Sequence, residues 1–190
     1  MQELKQKIIS HGRALNDQVL LVDSFLNHQV DVRLMAKVGE AFANHFADSG
    51  VTRVMTIESS GIAPAMMTAL ELSVPLVVMK KQNSAITRGD VYTAAVHSFT
   101  KQTEYQLSLS AKYVSAQDRV LVIDDFLAMG EAALGALNVI SQSGATVVGF
   151  GIVIEKSFQR GRDRLLDKGY EVYSLARVKH MTKDHIEFHE

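Results

Sequence analysis

The chain contains no cysteine among its 190 residues, which removes disulfides, thiolate metal sites and thiol nucleophiles at once. It has no surplus of charge of either sign: 20 basic residues stand against 21 acidic ones, so no general field favours nucleic acid or an anionic membrane surface. No run approaches the roughly 18 consecutive apolar residues of a membrane helix. Residues 1–10, MQELKQKIIS, are charged and amphipathic and lack the apolar centre of a signal peptide. There is neither an internal repeat nor a low-complexity segment. What remains is a 47% hydrophobic chain, long enough for one substantial core. We expect one cytoplasmic domain over residues 1–190 that binds neither nucleic acid nor membrane.

The densest information lies in residues 119–132, RVLVIDDFLAMGEA. Val120 to Ile123 form an aliphatic run suited to a buried strand of a parallel sheet. Two carboxylates, Asp124 and Asp125, close the run. A short turn through Gly130 follows, and then Ala133, Leu134, Leu137 and Ile140 recur at helical spacing. Strand, turn and helix in that order put backbone N–H groups and the positive end of a helix dipole where an anion would sit. The pattern suits a sugar phosphate, with the acids accepting from ribose hydroxyls and the turn holding the phosphate. The plainer alternative is a turn capped by an aspartate. Paired acids, a glycine at the tight point and small residues at Ala128 and Ala132 favour the phosphate site.

Around this motif the chain alternates strands and helices. Leu4, Ile8 and Ile9 mark a short opening helix ending near Gly12, and residues 15–31 have no clear period. Asp31 suits an N-cap for a helix carrying Leu34, Val38, Phe42 and Phe46 and stopped at Gly50. Strands are expected at 53–57, 75–79, 146–154 and 171–175, and helices at 62–72 and 163–168. Residues 80–90 are polar, whereas 91–99 and 105–114 alternate like exposed antiparallel strands. This stretch is either a lid over a site or an ordinary surface hairpin. The alternation implies an α/β fold with a parallel sheet and helices on both faces, so that ligands lie beyond the carboxyl ends of the strands. Three polar strand ends qualify: Glu58–Gly61, Asp124–Ala132 and Glu155–Lys156. His11, His28, His45 and His97 are scattered, and His180, His185 and His189 suit a solvated tail.

The segment VLVIDDFLAMGEA resembles the phosphoribosyl-pyrophosphate (PRPP) signature of type I phosphoribosyltransferases. Further blocks are similar to bacterial members of that family that use xanthine: DQVLLVDSFLNHQVD at 17–31, TIESSGIAPA at 56–65, SFTKQTE at 98–104 and GIVIEKSFQRGRD at 151–163. They occur in the right order over nearly the whole chain. The resemblance implies the type I fold, a mostly parallel sheet flanked by helices. A hood would be built from residues 1–30 and the C-terminal region, and a flexible antiparallel loop from residues 80–110. It implies a transferase of purine salvage that moves phosphoribose from PRPP to N9 of xanthine, giving xanthosine 5′-monophosphate and pyrophosphate. Asp124 and Asp125 match the pair that faces the ribose hydroxyls. Ala128, Met129, Gly130, Glu131 and Ala132 match the turn that binds the PRPP 5′-phosphate. Glu58, Ser59, Ser60 and Gly61 match the pyrophosphate loop, and Leu20, Asn27 and Lys156 match xanthine-binding positions, with Phe158 near the base. Mg²⁺ would be bound through PRPP rather than by protein side chains, and a homodimer is implied.

Three residues depart from the family's usual turn. An acid that can handle the proton at purine N7 commonly stands where this chain has Ala128, so xanthine, the more acidic purine, is expected to enter partly ionised. Met129 and Glu131 are also unusual, and Glu131 adds negative charge beside a phosphate, so its side chain is expected to turn outward. Three other readings stay open, among them a phosphoribosyltransferase for another purine and a PRPP-binding transcriptional regulator. The regulator normally carries a DNA-binding domain, for which residues 1–30 are too short. A nucleotide-binding module without activity would also fit the spacing.

Overall fold

The structure is a computed structural model that describes residues 1–82, 90–98, 103–183 and 185–190. The opening amphipathic pattern becomes α1 (Gln2–His11), which buries Leu4 and Ile8. A two-residue antiparallel pair, β1 (Arg13–Ala14) and β2 (Leu20–Leu21), and one π-helical turn, Asp23–Asn27, follow where the sequence has no period. Phe25 and Leu26 anchor that turn in the core. Asp31 caps α2 (Val32–His45), its carboxylate accepting from Leu34 N at 3.1 Å. The helix ends earlier than the expected Gly50: a 3₁₀ turn, Ala47–Ser49, intervenes, and Gly50 takes the left-handed conformation at φ 62°. The remaining elements are β3 (Arg53–Ile57), α3 (Ile62–Leu72), β4 (Leu76–Gln82), β5 (Val91–Ser98), β6 (Thr103–Ser110), β7 (Arg119–Leu127), α4 (Glu131–Ser141), β8 (Thr146–Lys156), α5 (Gly161–Leu166), β9 (Val172–Thr182) and β10 (His185–Phe188).

Eight strands form one sheet in the order β10-β9-β8-β7-β3-β4-β6-β5. The five central strands are parallel, and antiparallel pairs close both edges. Period-two alternation divides β7 between two cores. Leu121 and Ile123 face the side covered by α1, α2 and α3, while Val120 and Val122 face α4 and α5. Connections leave β3 and β7 in opposite directions across the sheet, so the crevice beyond their carboxyl ends is the topological switch point where α/β folds bind ligands.

Several expectations need correction. The motif strand does not stop at Ile123 but runs to Leu127, so both acids sit within its paired length. The β5–β6 hairpin is not exposed on both faces, because Val96, Leu107 and Leu109 join the core beside α4. Gly135 of α4 makes this possible, since a Cβ there would lie 2.3 Å from Val96 Cγ2. The last expected strand is longer, and β10 pairs with it, so His180 and His185 lie on a hairpin rather than in a solvated tail. Helix α5 starts two residues earlier than expected. Much of the polar tip, at 83–89, and most of the SFTKQTE block, at 99–102, lie outside the described residues.

Candidate active site

The carboxyl ends of β3, β7 and β8 carry the three polar segments singled out from the sequence, and they open on neighbouring cavities. The first, about 490 Å³, is lined by Ile57, Glu58, Ser59, Ser60, Lys81, Asp124, Asp125, Phe126 and Ala132. The second, about 150 Å³, shares Phe126 and Ala132 with the first and is lined by the whole turn 128–132 together with Val96, His97, Tyr105 and Gln159. The third, about 500 Å³, shares Ala128, Met129 and Gln159 with the second and adds Gln18, Val19, Lys156, Phe158 and Arg160. Together they bring the acids Asp124 and Asp125, with Glu58 and Glu131, beside the N-termini of α3 and α4 and the lysines Lys81 and Lys156.

The acids are held by short-range contacts. Asp124 Oδ1 accepts from the backbone N–H of Asp125 at 3.0 Å. Asn27 Nδ2 donates to Asp125 Oδ2 at 3.3 Å and to Ser60 Oγ at 3.4 Å, bridging acid pair and polar turn. Burial and then the charge of Asp125 push the Asp124 carboxyl well above the ordinary carboxylate range, while Lys81 pulls the other way. A cation or a developing positive charge beside the pair would oppose both effects and favour its ionised form.

Two turns provide anion-binding geometry. Gly130 takes φ 86°, a left-handed conformation that costs glycine nothing, and delivers the chain into α4 with the first-turn amides unpaired within the helix. The turn 58–61 also opens a helix, α3, but Gly61 is right-handed at φ −71°, and a cis peptide lies between Glu58 and Ser59. Gly61 lies flat on its neighbours: a Cβ there would be 2.3 Å from Thr56 Oγ1 and 3.0 Å from Asp124 Oδ1. The Glu58 carboxylate faces away from this turn, accepting from Lys81 N at 2.6 Å and lying 3.3 Å from Lys80 Nζ.

Lys156 ends β8 with its Nζ 5.4 Å from the Phe126 ring centroid, donating to Gln18 O at 2.6 Å. Burial lowers its pKa, an effect the charge of Asp125 opposes. Gln159 Nε2 donates to Gln18 Oε1 at 2.7 Å, so the segment before β2 is tied over this third cavity. Asn27 stands at the acids rather than among the residues lining the Lys156 cavity, and the Leu20 side chain is buried in the core. Phe158 is 38% exposed at the cavity wall.

Two sequence expectations resolve differently. Glu155 was expected at a ligand edge beside Lys156, yet it is 1% exposed and belongs to a structural network. It accepts from Arg162 at 2.8 and 2.7 Å and from Arg177 at 3.2 Å, with Ser174 as a further donor. Glu131 does not turn out to solvent but pairs with Arg164 of α5. Lys81, Tyr105 and Arg164 carry no local signal of their own, because each reaches the site from a distant part of the chain; Gln18 and Gln159 lie within the blocks 17–31 and 151–163, and their mutual contact brings them to the Lys156 cavity. Among the described residues there is no cluster of three or more His, Asp or Glu side chains suited to a metal ion, and no helix is long and apolar enough to cross a membrane.

Residues 18–189 match the model of the phosphoribosyl transferase domain family. The chain is 57% identical over 188 residues to "Xanthine phosphoribosyltransferase 1" of Clostridium botulinum, covering 99% of each protein. It is 54% identical over 188 residues to the xanthine phosphoribosyltransferase of Acinetobacter baylyi, covering 99% of this chain and 98% of that one. Among solved structures, adenine phosphoribosyltransferase from Rhodothermus marinus superposes with a TM-score of 0.74 at 21% identity, covering 94% of this chain and all of that one. The enzyme from Trypanosoma brucei in complex with AMP, pyrophosphate and ribose-5-phosphate gives 0.76 at 18% identity, over 92% of this chain and 79% of that one. At such identities these two structures establish the fold alone.

Proposed function

The chain belongs to the phosphoribosyl transferase domain family, and from that membership we propose that it transfers phosphoribose from PRPP to N9 of xanthine, releasing pyrophosphate and xanthosine 5′-monophosphate. The fold is the type I phosphoribosyltransferase fold. One observation carries the assignment of the site: the twin acids, the turn 128–132 and Lys156 line adjoining cavities at the switch point of the sheet. Long relatives above half identity carry the base specificity, since their names specify xanthine.

The chemistry follows from placed charges. As the C1′–pyrophosphate bond breaks, positive charge develops on the ribose, and fixed carboxylates stabilise it without reorganisation. Asp124 and Asp125 take that role while facing the ribose hydroxyls. Backbone amides of Ala128, Met129, Gly130, Glu131 and Ala132 hold the 5′-phosphate at the start of α4. Those of Ser59, Ser60 and Gly61 take the leaving pyrophosphate at the start of α3. Asn27, bonded to both Ser60 and Asp125, keeps the acid pair and the pyrophosphate turn in register; Leu20 contributes its backbone, because its side chain is committed to the core. The acid pair also fits Mg²⁺, which prefers hard oxygen ligands and would be held largely by PRPP oxygens beside Asp124 and Asp125. Bound there, such an ion would supply positive charge to neutralise the leaving group.

Lys156 selects the base. An ammonium favours oxo groups and an anionic heterocycle, and Ala128 offers no carboxylate to take a proton. Xanthine therefore reacts as the partly ionised species. The enzyme works as a homodimer in the cytoplasm. The test is pyrophosphate release from PRPP with xanthine, adenine, hypoxanthine and guanine, at pH values on both sides of xanthine ionisation. Xanthine is expected to be the preferred base, with a rate that rises as it ionises. Preference for another purine, a flat pH response, or PRPP binding without turnover, as in a regulator, would each contradict the assignment.

A further inference from the structure

The anion turn of this chain contains a carboxylate, Glu131, at the first position of α4, where it lines the same cavity as the amides around it. A negative side chain stabilises the helix end but repels the dianion that the turn is built to hold. Its charge is felt by a second lining residue: the Tyr105 hydroxyl is pushed up by burial, then by Asp124 and by Glu131.

Helix α5 answers that charge. Its start is packed flush on the turn, with Gly161 N donating to Ala128 O at 2.9 Å. A Cβ on Gly161 would lie 2.3 Å from Ala128 O, and one on Gly130 would lie 3.0 Å from Gly161 Cα. Only two glycines allow so close an approach. One helical step further on, Arg164 Nη1 donates to Met129 O at 2.6 Å and to the Glu131 carboxylate. The guanidinium thus neutralises the acid and also fixes the carbonyl of the turn, whose lone pairs must not face an anion.

We propose that Arg164 is a positioning residue of the phosphate turn, which sets its affinity by cancelling the charge of Glu131 and holding the Met129 carbonyl aside. The proposal rests on reading residues 128–132 as the 5′-phosphate site. Its consequence is that Glu131 and Arg164 form one functional unit: loss of the cation alone weakens binding, and loss of both charges restores it.

The experiment measures ribose 5-phosphate binding by calorimetry and the KM values for PRPP and xanthine, in wild type, Arg164→Met, Glu131→Gln and the double variant. Wild-type protein that fails to bind ribose 5-phosphate refutes the turn assignment itself, independently of Arg164. Given wild-type binding, Arg164→Met should weaken ribose 5-phosphate and raise the PRPP KM about tenfold, leaving the xanthine KM unchanged. The double variant should return to within about threefold of wild type, because no uncompensated charge remains. Arg164→Met with wild-type PRPP behaviour, or a double variant as weak as the single one, overturns the proposal. Should Arg164→Met fail to fold, Glu131→Gln decides alone: it is expected to bind ribose 5-phosphate about twofold more tightly, and weaker binding overturns the proposal.

Discussion

Adding one methyl group at Gly61 should disable the pyrophosphate turn. The residue has φ −71°, so alanine is conformationally permitted there and the effect is steric. The new Cβ would meet Thr56 Oγ1 at 2.3 Å, against an ordinary contact beginning near 3.4 Å. Thr56 cannot give way. It is β-branched, fully buried and paired with Val78 of β4 within the sheet. The turn must therefore lift by about 1 Å, a displacement that costs up to roughly 10²-fold in rate when it moves groups that position a reacting bond. The overpacking itself costs about 1–3 kcal/mol, a melting-temperature decrease of roughly 3–10 °C for a chain of this size. Initial rates with varied PRPP and saturating xanthine should show kcat/KM for PRPP falling about 30- to 100-fold in Gly61→Ala. A second substitution, Thr56→Ala, should recover most of it. It removes the obstructing oxygen, which has no hydrogen-bond partner among the described residues, so no bond is lost. Gly61→Ala with wild-type PRPP kinetics but a lower melting temperature would show that this backbone does not position the leaving group.

Other substitutions separate the roles of the site. Lys156→Ala would remove the proposed charge-assisted hydrogen bond to the base, so the xanthine KM should rise about 10- to 100-fold with the PRPP KM nearly unchanged; equal effects on both would refute the assignment. Asp124→Asn should abolish most turnover yet raise the melting temperature of ligand-free protein at neutral pH. Because its folded pKa is raised by burial and by Asp125, Asp124 contributes stability below its unfolded pKa that is lost as pH rises through the folded value. A lower melting temperature in the variant would contradict this. Glu155 has the opposite sign. Burial pushes its carboxyl up, but Arg162, Ser174 and Arg177 outweigh that and hold it below the ordinary value. Its stabilisation is present above the unfolded pKa and disappears as pH falls through the folded one. Glu155→Gln should cost about 3 kcal/mol at neutral pH and flatten the acid limb of the stability profile, measured by urea unfolding from pH 3 to 7; an unchanged acid limb would exclude the network as its cause.

The legible parts of this molecule were those whose signal is local. A strand of aliphatics, two acids, a glycine and an amphipathic helix are consecutive in sequence, so the order of strand, acids, turn and helix through 119–141 is readable locally. Strand β3 and helix α3 were equally plain, because Ile57 to Pro64 carries the same syntax. Glu155 was misread because a polar residue at a strand end looks the same whether it faces ligand or two arginines brought from 162 and 177. Glu131 was expected to face solvent because Arg164 lies 33 residues further along. The hairpin was expected to be exposed because alternation alone does not say that Gly135 leaves room for Val96. In each case the missing information was a tertiary contact, not a local preference.

The proposed role of the turn 128–132 is to hold the 5′ end of the sugar between the acid pair and Lys156. Crystals soaked with ribose 5-phosphate test it directly. The phosphate is expected within hydrogen-bond distance of the backbone amides from Ala128 to Ala132, with the ribose hydroxyls toward Asp124 and Asp125. A phosphate bound at the start of α3, or at any other place on the protein, would contradict it.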